Sequence, residues 1–219
     1  MIRVDLHLHT TYSRDSATPL SVVIDRCQRR GINCLAVTDH NTISGALELQ
    51  RHAPFQVIVG EEINTLDGEI IGLFLTAEIP RGLSGRETAA RIHRQGGLVC
   101  IPHPFDRVRR RRITEQALYD LIPQIDILEA FNPRTTLLRD SERALSFGRA
   151  HGLALGAGSD AHTPVEIGGA YVEMREFKDP QDFLEAVKGG QVAGRRANPL
   201  VHLPTRVTRL LKALRRRDE

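Results

Sequence analysis

Asp5-Leu6-His7-Leu8-His9-Thr10-Thr11-Tyr12-Ser13-Arg14-Asp15-Ser16 is the stretch on which the fold of this chain turns. Only Met1-Ile2-Arg3-Val4 precedes it, so the apolar start of a strand runs directly into two histidines one residue apart. Positions i and i+2 of an extended backbone point to the same face. His7 and His9 therefore present two imidazoles side by side, at a spacing that suits two nitrogens on one metal ion. An isolated His-x-His also fits a strand with two polar residues facing water. The placing of the other histidines decides between the two readings.

Outward from that stretch, short apolar runs alternate with amphipathic segments. The sequence predicts helices over 19–30 (capped by Ser16 or Thr18 and stopped by Gly31), 44–51, 85–95, 114–121 (capped by Thr114), 138–151 and 180–188. Strands are expected at 34–37, 57–59, 98–101, 125–128 and 153–155, with short closing strands at 170–172 and 191–193. Asp67-Gly68 reads as a hairpin turn between 63–65 and 70–75. A basic amphipathic helix is expected over 205–216, within a tail spanning 204–219. No repeat or linker divides the chain, which predicts one domain over 1–219. Six or seven strand–helix units are too many for a small doubly wound sheet and short of the eight in a standard barrel. An α/β barrel, closed or nearly so, fits best.

At 219 residues the chain is long enough for one sizeable core. Apolar residues at 41% and charged residues at 26% are ordinary for a globular protein. No apolar run is long enough to span a bilayer, and the N-terminus lacks the pattern of a signal peptide. Cys27, Cys34 and Cys100 sit in apolar contexts without a Cys-x-x-Cys pair, as expected of reduced thiols in a cytoplasmic protein. Aromatics at 5% with no Trp give poor support to a nucleic-acid surface built on stacking. The net charge of +3 is unevenly spread: positions 107–112 hold five arginines, and 209–217 form a basic tail. Such surfaces favour anionic partners.

Nine histidines sort into two sets. His52, His93, His151 and His202 fall within or beside helical patterns and read as surface or packing residues. His7, His9, His40, His103 and His162 all stand where an apolar strand has just ended, as do Asp5, Asp39, Glu62 and Asp160. In α/β barrels the C-terminal ends of the strands gather at one face, which carries the site. Imidazoles and carboxylates converging there carry a large desolvation and electrostatic cost unless they hold a cation. A metal site follows.

These residues resemble a known family. Asp5-Leu6-His7-Leu8-His9-Thr10 with Asp15, Thr38-Asp39-His40-Asn41, Gly60-Glu61-Glu62, Pro102-His103-Pro104 and Gly158-Ser159-Asp160-Ala161-His162 are similar, in order, to the motifs of the polymerase and histidinol phosphatase (PHP) family. The likeness runs to about Tyr171 and implies a distorted (β/α)7 barrel with two or three divalent ions (Mn, Fe or Zn) that hydrolyse phosphate esters. By position it implies a first metal on His7, His9, Glu62 and Asp160, a second sharing Glu62 and taking His103, and a third on Asp15, His40 and His162. Where many relatives place a histidine before an Ile-Leu-Gly sequence, this chain has Glu69-Ile70-Ile71-Gly72. Glu69 is expected either to bind the second metal or to lie on the hairpin surface.

The implied chemistry follows from charge. Three divalent ions outweigh Asp15, Glu62, Glu69 and Asp160, so a pocket with a bridging hydroxide stays positive and suits a phosphoryl oxygen. No protein nucleophile is required; Ser13 and Ser159 read as turn and supporting residues. Asp39 is expected to orient His40 through its second nitrogen, and Arg134, in Asn132-Pro133-Arg134, either to grip a phosphate or to stand as a surface arginine on a loop. The arginine run starts four residues after His103 and so is expected to border the site. The expected substrate is a small anionic phosphate ester. Trimming of nucleic-acid ends and a non-enzymatic structural module are the alternatives; composition does not favour nucleic acid, and membrane contact is not expected. Oligomeric state is not readable from these residues.

Overall fold

The apolar runs of the barrel become strands covered largely on both faces, whereas Gln191-Val192-Ala193 stays mostly exposed. A computed structural model describes residues 1–215, without the side chains of Pro199, His202 and Arg215. The strands are β1 (Ile2–Asp5), β2 (Cys34–Val37), β3 (Gln56–Asn64), β4 (Glu69–Leu73), β5 (Leu98–Ile101), β6 (Ile127–Phe131), β7 (Ala154–Ala157), β8 (Ala170–Met174) and β9 (Gln191–Gly194). The helices are α1 (Leu20–Arg30), α2 (Ser44–His52), α3 (Gly85–Arg94), α4 (Glu115–Leu121), α5 (Leu138–Ala150), α6 (Pro180–Lys188) and α7 (His202–Arg215).

The sheet runs β7-β6-β5-β4-β3-β2-β1-β8-β9. It curls until the chain beyond β7 meets the chain beyond β1. Leu6 N–H donates to Ala157 O (3.2 Å), Asp160 N–H donates to His7 O (2.7 Å), and Leu8 and Ala161 form a parallel bridge. Seven strands thus nearly close into a distorted (β/α)7 barrel, with β8 and β9 added antiparallel on the outer side of β1. Gly158 permits this closure: a Cβ there would lie 2.3 Å from that of His7.

Strand parity separates two apolar layers. Leu35 and Val37 pack outward with Val23, Cys27, Leu49 and Ile92 of the helices. Cys34 and Ala36 face inward with Val4, Ile58, Ile71 and Ile127, joined by Phe183 and Val187 of α6. The expected hairpin forms at Asp67-Gly68, where Gly68 takes φ 132°. Because β4 runs antiparallel to both neighbours, it delivers its first residue, Glu69, to the rim where the parallel strands end.

Several boundaries differ from expectation. Helix α1 starts at Leu20 without a side-chain cap; the Ser16 and Thr18 hydroxyls donate instead to His162 O (3.1 and 3.3 Å). Those hydroxyls tie two rim loops together, which competes with capping. Gly31 ends α1 in the left-handed region and Thr114 caps α4 as expected. Strand β3 extends through Glu62 to Asn64 because the hairpin partner pairs with it. Strand β6 includes Glu129, with a register shift between Glu129 and Phe131. The tail helix begins at His202; its expected end at Arg216, with Arg217, lies outside the described residues. No helix among the described residues is long and apolar enough to cross a membrane.

Candidate metal centre

The rim gathers all nine expected ligands. Glu62 stands at the middle: its Oε1 lies 3.1 Å from His103 Nε2, and its Oε2 lies 3.1 to 3.5 Å from nitrogens of His7, His9 and His40. Asp160 Oδ1 is 3.5 to 3.6 Å from His7, His9 and His162. Asp15 reaches His40 Nε2 (3.4 Å) and His162 Nε2 (3.5 Å). The Nε2 atoms of His7 and His9 face each other at 3.1 Å. Glu69 is buried at 4% exposure, with Oε2 3.9 Å from His103 Nε2, so it does not lie on the hairpin surface.

These spacings test the fit of a cation. Two donors bound at about 2.1 Å to one tetrahedral ion lie roughly 3.4 Å apart. The contacts around Glu62 and Asp160 fall near that value. Asp15 Oδ1, Glu62 Oε2 and Asp160 Oδ1 are buried without a hydrogen-bond partner, a state that is costly unless another charge meets them. Four groups of three side chains bring donor atoms within 4.8 Å of one another: His9, His40 and His162; His7, Glu62 and His103; His7, His9 and Asp160; His40, Glu62 and Glu69. The donor set suits divalent ions.

Local structure fixes which ring nitrogen points inward. His7 Nδ1 lies 3.1 Å from Glu129 Oε1, His9 Nδ1 lies 3.0 Å from Ser13 Oγ, and His162 Nδ1 lies 2.8 Å from Asp160 O. With Nδ1 donating to those oxygens, each Nε2 lone pair is turned to the cluster. His103 (φ 33°) and Asp160 (φ 50°) hold left-handed backbone that side chains rarely adopt, as at many functional sites. Glu129 Oε2 accepts His103 N–H (2.7 Å) and helps hold that turn.

Protonation divides the imidazoles. Burial opposes charge on His7, but Glu62 and Glu129 outweigh it and push it up to about 9. Burial likewise opposes charge on His40, but Glu62 and Asp15 carry it to about 9. Burial, reinforced by His162, drives His9 well below its ordinary value. Burial and the nearby Arg134 take His162 down to about 3. Burial and Glu62 raise Glu69 to about 7.

Asp39 departs from its expected role. It accepts from Thr10 N–H (2.7 Å), Thr10 Oγ1 (2.6 Å) and Ser13 Oγ (2.7 Å), and does not orient the His40 ring. Its neighbours on β1's extension are nearer than the imidazole, so its effect reaches His9 through Ser13. Arg134 is buried and donates to Asp160 O (3.1 Å) and Thr205 Oγ1 (2.9 Å), and lies 3.5 Å from Glu166. It lines the back of the cluster. Of the arginine run, Arg109 turns in and donates to Asp160 Oδ2, while Arg107 pairs with Asp140 (3.1 Å) and Arg111 donates to Asn64 Oδ1 (2.9 Å). Lys212 of α7 donates to the carbonyls of Thr11, Ser13 and Ser16, bracing the loop that carries Asp15.

Glu129 escapes sequence reasoning. Its only signal is a carboxylate interrupting the apolar run Ile127-Leu128-Glu129-Ala130 at the same relative place as the other strand-end acids.

Residues 5–121 match the family model of the PHP domain, and 139–192 match the PHP-associated model. An uncharacterized protein of Methanocaldococcus jannaschii is 34% identical over 85% of this chain and 79% of its own length. An error-prone DNA polymerase of Symbiobacterium thermophilum is 34% identical over 64% of this chain, which is 12% of the polymerase. In fold, a candidate metal-dependent phosphoesterase of Bifidobacterium adolescentis matches with a TM-score of 0.63 at 18% identity, covering 86% of this chain and 96% of that one.

Proposed function

The chain belongs to the PHP family, and on that premise we propose that it is a metal-dependent phosphoesterase. The observation that carries this reading is the convergence of five imidazoles and four carboxylates, nearly all buried, on one rim of the barrel with Arg109 among them. His7, His9, Glu62 and Asp160 would hold one ion; Glu62, His103 and Glu69 a second; Asp15, His40 and His162 a third. Divalent ions there supply Lewis acidity toward a phosphoryl group and lower the pKa of water.

The protein's own residues do the rest. Glu129, Ser13 and the Asp160 carbonyl set three imidazoles with Nε2 inward. Arg109 offers a guanidinium to phosphate oxygens in exchange for its contact with Asp160. Among the described residues no side chain is set up as a nucleophile. Ser13 Oγ donates to Asp39 and Ser159 Oγ donates to His7 O, and neither faces a free base. The three thiols are buried, and burial lifts Cys34 to about 12. Attack by water is therefore the simplest route.

The substrate class we favour is a small phosphate ester with more than one phosphate or a phosphodiester, because Arg109 and Arg111 stand at the edge of the cluster. The test is turnover of a phosphate-ester panel by the Mn-loaded protein, with aryl phosphate, nucleoside bisphosphate, dinucleotide and oligonucleotide arms. Release of phosphate or nucleotide that ends on chelation supports the reading. Arg109→Ala should raise KM for the multiply charged arms by about tenfold and less for aryl phosphate. Hydrolysis of none by a metal-replete protein contradicts it.

A further inference from the structure

Outside the metal centre, a cavity of about 650 Å3 opens between the start of β1, the end of α1 and the segment after β9. Four guanidiniums line it: Arg3, Arg30, Arg195 and Arg196. None of the nine candidate metal ligands does. Arg3 is partly engaged, donating to Glu173 (2.8 Å) and lying over the Tyr171 ring at 5.0 Å. Arg196 donates to Thr135 O (3.1 Å). Among the described residues no ion pair engages Arg30 or Arg195.

The acid in the lining does not neutralise them. Glu166 is buried, its Oε2 accepting His162 N–H (3.2 Å), Thr163 N–H (3.0 Å) and Thr163 Oγ1 (2.8 Å), with Oε1 beside Arg134. The cleft is thus a concave surface with a cationic excess drawn from three separate segments of chain. Like charges converging in a cavity repel one another and concentrate anions. One phosphate is satisfied by one or two arginines, whereas guanidiniums spread across a cleft match a chain of linked phosphates. The volume lies in the range of small-molecule sites, and among the described lining residues Tyr171 alone offers an aromatic face, which does not suit an extended strand of stacked bases.

We propose that this cleft is a second anion site, separate from the metal centre, that takes the oligophosphate chain of a small molecule. Free oligophosphate and a nucleoside triphosphate share that chemistry. The site needs no metal ion from the rim, and that makes it separable by experiment.

Sodium tripolyphosphate is titrated calorimetrically into the full chain in excess chelator, with orthophosphate, ATP and oligo-dT of several lengths as further arms. Saturable one-to-one binding of tripolyphosphate is expected, about tenfold or more tighter than orthophosphate and weakened by added salt. Arg30→Ala with Arg195→Ala should weaken it by about tenfold or more, and Arg109→Ala should change it less than about twofold. Tighter binding of ATP than of tripolyphosphate assigns a nucleotide; equal binding assigns the bare chain. Both arginines are exposed, and an unchanged Tm verifies the fold; should the double variant not fold, Arg195→Gln alone is read in the same way. Equal affinity in wild type and variant, loss through Arg109→Ala instead, or affinity that climbs with oligo-dT length past that of tripolyphosphate would overturn the proposal.

Discussion

Strand β3 carries both chemistries of this barrel within five residues. Ile58 is buried among Val4, Ala36 and Ile71, where close apolar contact satisfies every atom. Glu62 is equally buried, yet its Oε2 has no hydrogen-bond donor and is ringed by imidazoles. The first position stabilises the fold on its own. The second depends on positive charge around it, from His7 and His40 in the metal-free chain and from cations when they bind. The barrel interior is therefore built for stability, and its rim is held in readiness for cations.

The largest effect should come from the shared carboxylate. Glu62→Gln keeps the shape but removes the charge that touches four imidazoles. Activity should fall by at least about 100-fold, beyond the losses seen when a supporting group near a metal is removed, with metal content reduced by elemental analysis. Full metal content in that variant would erase the contrast with Ile58. The complementary change, Ile58→Ala, should cost about 2–5 kcal/mol in denaturant unfolding and leave metal content per folded chain unchanged.

Glu69 belongs to the rim by position and reaches the cluster from the reversed strand. Glu69→Gln should lower activity by about 10- to 100-fold. Its carboxyl is raised to about 7 in the folded chain, so the charged form lowers stability above the unfolded value near 4.5, and fully so above 7. The metal-free variant should therefore melt higher than wild type at pH 8. A lower melting point there would show that the charge is stabilising.

Most of this rim is legible in the sequence. His7, His9, His40, His103 and His162 each follow an apolar run, and barrel geometry brings such positions to one face. Glu69 is harder to place, because a hairpin residue is buried or exposed according to the direction of β4, which sequence spacing does not reveal. Glu129 is hidden inside an apolar strand, and its role depends on a partner 122 positions away, His7. Within 107–112 the arginines look alike in sequence. Tertiary contacts with Asp140, Asp160 and Asn64 send them to different places. Asp39 stands next to His40 in sequence, but its hydroxyl and amide partners, Thr10 and Ser13, come from another strand's extension, and adjacency does not reveal them.

A smaller effect should appear in the metal-free protein as pH varies. His7 and His40 have folded values near 9, so the stability they contribute is present below about 6.5 and is lost as pH rises through 9. His9 and His162 are depressed, so the folded chain refuses protons that the unfolded chain accepts, and stability falls as pH drops below about 6.5. Tm should peak near pH 6.5 and flatten when ions are bound; Ile58→Ala should shift the curve downward without changing its shape. A monotonic profile would break the division between the two pairs.

Everything proposed for the rim depends on its nine side chains holding a cluster of divalent ions. Anomalous diffraction at the Mn, Fe and Zn edges, with elemental analysis of the same crystals, tests it most directly. Two or three ions per chain are expected, within about 2.0–2.3 Å of His7, His9, His40, His103 and His162 nitrogens and of Asp15, Glu62, Glu69 and Asp160 oxygens. A metal-replete protein with its ions elsewhere, or with His103 and His162 outside the coordination of any ion, would contradict it.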